Sequence, residues 1–79
     1  MKTYDYYSKA KSLAEELRLA GFSHYRDEIL RSMEEGETGT EIFMMMRSQL
    51  ARFLVEKVVP ENLSNRVTRL HDRLDDALK

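Results

Sequence analysis

The chain has 79 residues and no cysteine. It can therefore form no disulfide, no thiolate zinc site and no cysteine nucleophile. Apolar packing must hold the fold, or a second chain must help, because a domain this short buries only about 60–65% of its unfolded surface and is usually marginal alone. There are one proline and three glycines, and no internal repeat. Nothing has the composition of a disordered or low-complexity segment. No run approaches the roughly 18 apolar residues of a membrane span. The 13 basic and 14 acidic side chains nearly cancel, to a net charge of −1. That balance argues against nucleic acid as the main partner, since such proteins need a cationic surface. The opening Met1-Lys2-Thr3-Tyr4-Asp5 lacks the apolar core of a signal peptide, so a cytoplasmic location is expected.

What is present is helical periodicity. From about Asp5 to Ala20, Tyr6, Ala10, Leu13, Ala14, Leu17 and Ala20 share one face, and Gly21 suits a left-handed stop. From Ser23 to Glu35, Phe22, Tyr25, Ile29 and Met33 form a stripe beside Leu30. Ser23 is the expected N-cap, and Asp27 and Glu28 suit the positive end of the dipole. Gly36 ends this segment. The third segment, Thr38 to Val58, is the longest. Thr38-Gly39-Thr40-Glu41 fits a capping box, in which Glu41 reaches back to the amide of Thr38. Ile42, Phe43, Met46, Leu50, Phe53 and Leu54 make its wide apolar face. A second stripe of Met44, Ser48, Ala51 and Val55 lies roughly opposite. A helix apolar on two sides is expected to have neighbours on two sides. Pro60 is expected to end it. From Pro60 or Asn62 to Leu78, Leu63, Val67, Leu70, Leu74 and Ala77 repeat at alternating spacings of four and three, a narrow seam of two heptads. Strand signals are absent apart from a hint at Lys57-Val58-Val59.

Catalytic and ligand motifs are weak. Gly36-Glu37-Thr38-Gly39-Thr40 has two glycines before a helix, but Glu34, Glu35, Glu37 and Glu41 crowd it and would repel phosphate; capping explains both glycines. The same acids lack the spacing of a calcium loop. His24 and His71 are the only histidines, and His71 with Asp75 offers at most two ligands. No Ser/His/Asp arrangement is recognisable. Neither a catalytic residue nor a cofactor or metal is expected.

Charge is unevenly spread. Residues 23–41 carry 2 basic and 6 acidic side chains, a surplus suited to steering a basic partner. Arg66, Arg69 and Arg73 line one side of the last segment. Their interleaving with Asp72 and Asp76 points to internal compensation, or to pairing with the second segment, rather than to DNA.

Leu17-x-x-Ala20-Gly21, Gly36-x-Thr38-Gly39-Thr40-Glu41-Ile42 and Met46-Arg47 together resemble a pattern in short, uncharacterised bacterial all-helical proteins. The resemblance covers about residues 13–54. It implies an all-helical fold, and some of these proteins are suspected of immunity or toxin-neutralising roles.

These readings converge on a single all-α domain over residues 1–79, a small bundle of four helices with the third central. The expected function is a non-enzymatic protein-interaction module, a homodimer or the binder of a protein partner, with no membrane association. Candidate partner-binding residues are Met44, Ala51 and Val55 on the second stripe, and Glu34, Glu35 and Glu37 in the acidic segment. The alternative is a helix-turn-helix DNA-binding regulator read through the Thr40 helix. That role needs polar and basic residues near the start of the helix, where Glu41, Ile42, Phe43 and three methionines stand instead.

Overall fold

The computed structural model describes residues 4–79. The expectation about a leader rests partly on Met1-Lys2-Thr3, which lie outside the described residues. Four helices follow in order: α1 (Tyr6–Leu19), α2 (Ser23–Glu35), α3 (Gly39–Glu56) and α4 (Glu61–Ala77). The fold is all-α.

Local chemistry sets each boundary. The Asp5 carboxylate accepts the Ser8 amide at 3.1 Å and starts α1. At its end Gly21 takes φ +94°. The Gly21 amide donates to the Arg18 carbonyl at 3.0 Å and the Phe22 amide to the Leu17 carbonyl at 2.8 Å. This pair of bonds is a Schellman motif, and it requires the left-handed residue that Gly21 supplies. Ser23 is not the cap of α2. Phe22 holds that position without a side-chain bond, and its carbonyl accepts the Tyr25 and Arg26 amides at 3.0 and 3.2 Å. The stop of α1 leaves Phe22 already non-helical, so the next helix begins one residue earlier than the serine suggests.

Gly36 closes α2 with ordinary backbone angles, φ −70° and ψ 131°. Its need is space: a Cβ there would lie 2.9 Å from the Ile42 amide nitrogen. Thr38 caps α3 as expected, accepting the Glu41 amide at 3.1 Å. The return arm of the capping box differs by one residue, since Glu41 accepts the Glu37 amide, not that of Thr38, at 3.2 Å. The third helix runs unbroken and stops at Glu56, short of Val58. Lys57 ends it in the left-handed region at φ 54°. Pro60 acts instead as the N-cap of α4.

The helices form a ring. α1 packs on α2 and α4, and α3 packs on α2 and α4. The third helix thus has a neighbour on each flank, but so has every other helix. Ala10 and Ala14, both buried, leave room for close neighbours along α1. Leu13, Leu17, Ile29, Met46, Leu50, Phe53, Val67 and Leu74 fill the middle and are almost wholly removed from water. The stripe ends are less covered: Ala20 and Ala77 are exposed, and Met33, Ile42 and Leu54 are half-buried. Aromatic contacts cross the ring between α1 and α3, where the Tyr6 and Tyr7 rings sit 4.7 and 5.9 Å from Phe43. Ser32, the buried polar side chain, donates to the Glu28 carbonyl at 3.1 Å. The radius of gyration is 11.7 Å, against about 11.6 Å expected for a folded chain of this length.

The expectation that α3 would be enclosed on both apolar sides is not met. Both neighbours grip the flanks of its first face. Its second stripe points outward, leaving Met44 49% and Val55 77% exposed. Ser48 is exposed as well and Ala51 is half-buried. In a ring of four helices each member has one inward face, and a second stripe is left to solvent. Among the described residues no helix is long and apolar enough to cross a membrane.

Candidate partner-binding surface

The outward stripe of α3 has a defined place. Arg47, at the α4 edge of the helix, pairs with Asp75 of α4 at 2.9 Å. On the opposite edge Arg52 pairs with Glu28 of α2, and Glu56 accepts the hydroxyl of Tyr25. Met44, Ala51 and Val55 lie between these edges, away from the core. Val58, 54% exposed, is a further exposed apolar side chain just past the helix end. Leu19 is also exposed, but it lies on α1.

The acidic residues divide. Glu34 borders an open groove of about 380 Å³ between α1 and α2, where Tyr7, Leu30 and Met33 supply apolar surface and Lys11 faces it. Glu35 sits 3.7 Å from Arg31 one turn earlier. Glu37 is exposed in the connection to α3. Glu28, counted in the same surplus, is engaged by Arg52, and that bond raises the arginine pKa. The structure therefore turns Glu34 toward α1 and away from the α3 stripe, whereas Glu37, whose amide donates to the Glu41 carboxylate, sits just ahead of α3.

Two features escaped the sequence. The first is an aromatic cluster at one end of the bundle. The Tyr25 ring stacks on Phe53, 4.1 Å between centroids and 27° between planes, and lies 5.8 Å from Phe22. Burial, then the hydrogen bond to Glu56 and its negative charge, push the Tyr25 hydroxyl up to about 12. The residue types were visible, but their convergence depends on how α2 and α3 align.

The second is a smaller cavity of about 150 Å³ between α1 and α4, lined by Tyr4, Lys9, Leu13, Arg66, Arg69 and Leu70. Arg66 pairs with Glu16 of α1 and reaches Ser12 at 3.4 Å. The Arg73 guanidinium lies 4.6 Å from the centre of the Tyr4 ring. Pairing of these arginines with the second helix, expected from the sequence, is not found, because α2 and α4 are diagonal in the ring. The acids of α4 are directed elsewhere: Asp72 to His71 at 3.2 Å, Asp75 to Arg47, and Asp76 to Lys79 at 3.4 Å. His71 thus meets Asp72 rather than the Asp75 suggested by helical spacing. The arginine spacing was legible; the Lys9 opposite it was not.

Comparison with protein-family profiles, with curated proteins and with solved structures finds no match to this chain.

Proposed function

We propose that the chain is a non-enzymatic protein-interaction module of the bacterial cytoplasm, acting as a dimer through the outer face of α3 or by binding a protein partner there, in the manner of an immunity or toxin-neutralising protein. The observation that carries this reading is the exposure of Met44 and Val55 on a helix whose opposite face already completes the core. Neither side chain belongs to the buried core. Methionine also adapts to irregular apolar partners.

The magnitude bounds the affinity. A stable interface covers about 800 Å² on each partner, and the chain exposes 5219 Å² in all. The stripe alone falls short of that area, so Val58 and the aliphatic parts of Arg47 and Arg52 must contribute and association is weak. Glu34 faces the α1–α2 groove and Glu35 pairs with Arg31, off the stripe, and Glu37 is exposed just ahead of α3. Their part is to steer a basic partner rather than to form the contact. The rival helix-turn-helix reading draws little support from the start of α3, whose exposed side chains are Thr40, Glu41 and Met44. Light scattering over a concentration series, on the natural chain and on Met44→Glu/Val55→Glu, tests the proposal. Association that rises with concentration and disappears in the double variant supports it; a monomer throughout removes the dimer.

A further inference from the structure

The cavity between α1 and α4 combines features that the interaction reading does not use. Its walls bring Lys9 of α1 against Arg66 and Arg69 of α4. Arg73, one turn beyond Arg69, lies over the Tyr4 ring and continues the same flank. Arg66 is matched by Glu16. Lys9, Arg69 and Arg73 form no ion pair among the described residues, and the nearby acids of α4 are turned toward His71, Arg47 and Lys79. Positive charge is thus gathered in a concave place on a chain whose net charge is −1. Like charges held together repel, so such a cluster favours a counter-ion. The field reaches Tyr4, where burial raises the hydroxyl pKa while Arg73, Arg69 and Arg66 each pull it down.

Size narrows the ligand. Pockets for drug-sized molecules run from roughly 300 Å³ upward, and this one holds about 150 Å³. That suits a compact anion rather than a large organic molecule. Arginine forks and a lysine ammonium match the oxygens of a tetrahedral oxyanion. Leu13 and Leu70 of the lining carry no polar side-chain group, which leaves the specificity to the charged side chains. We infer that the α1–α4 groove is a binding site for a small phosphate-type oxyanion ligand, held by Lys9 and Arg69, with Arg66 and Arg73 at its ends.

The test is a titration of the full chain with inorganic pyrophosphate at low salt, followed by amide NMR shifts, with sodium chloride at matched ionic strength as control. Saturable shifts centred on Lys9, Leu13, Arg69 and Leu70 are expected. Lys9 and Arg69 are both exposed, so Lys9→Gln and Arg69→Gln keep the fold, checked by circular dichroism, and each weakens binding by about tenfold or more. Non-saturating shifts, or equal affinity in the natural chain and both variants, overturn the proposal. A parallel titration with a single-stranded oligonucleotide supplies the other arm: tighter binding than pyrophosphate, lost in the same variants, reassigns the groove to nucleic acid and overturns a small-ligand site.

Discussion

Tyr25 donates its hydroxyl hydrogen to the carboxylate of Glu56, tying the first turn of α2 to the last turn of α3. The ring is buried, while Glu56 is exposed to solvent. Tyr25→Phe removes the bond and keeps the stacking on Phe53. A loss of about 0.5–1.5 kcal/mol is expected in urea unfolding, the scale of a net intramolecular hydrogen bond, because the exposed Glu56 carboxylate regains water when the bond is lost.

The same pair sets an alkaline limit. An unfolded tyrosine ionises near pH 10, whereas Tyr25 in the fold keeps its proton to about 12. Between these values the native state holds more protons than the unfolded state, so stability falls as pH rises. The contribution is complete below about pH 10 and gone above about pH 12. Unfolding curves across this window should show the decline in the natural chain and a shallower one in Tyr25→Phe.

The glycines are not equivalent. Gly36→Ala forces a Cβ against the Ile42 backbone, and an overpacking cost of about 1–3 kcal/mol is expected. Gly39→Ala meets only the Tyr7 hydroxyl at 3.7 Å and, being helical, should be neutral or stabilising by a few tenths of a kcal/mol. Thermal melts of the two variants should therefore move apart.

Lys57 holds a left-handed conformation that a side chain disfavours. Lys57→Gly relieves it and should stabilise the chain by about 0.5–1 kcal/mol, net of the extra freedom of the unfolded state. A lowered midpoint in denaturant would show that the turn is set by contacts rather than by backbone preference.

Much of the fold could be read from the chain because periodicity marks inward faces. Ala10, Leu13, Leu17, Ile29, Leu50, Phe53, Val67 and Leu74 all lie where helical spacing puts them. Gly21 stops α1 as its chemistry demands. Small shifts at helix ends apart, the departures share a source: spacing within a helix carries no information on what the next helix covers. The second stripe of α3 looked like a contact and faces water. Gly36 looked like a cap residue and is needed for the approach of Ile42. Lys9 gave no signal until α1 was laid against Arg66 and Arg69. Of the candidate site, the grouping of Met44 and Val55 on one strip follows from their angle on the helix, whereas their exposure does not. The separation of Glu34 from them follows only from the ring order.

The most direct measurement is sedimentation equilibrium of the natural chain and of Met44→Glu/Val55→Glu, carried to about 1 mM, where a weak contact populates. Concentration-dependent dimerisation of the natural chain, with a double variant that is equally stable yet monomeric, is the predicted result. A natural chain monomeric over the whole range, or a double variant that associates equally well, would contradict a dimer built on the outer face of α3.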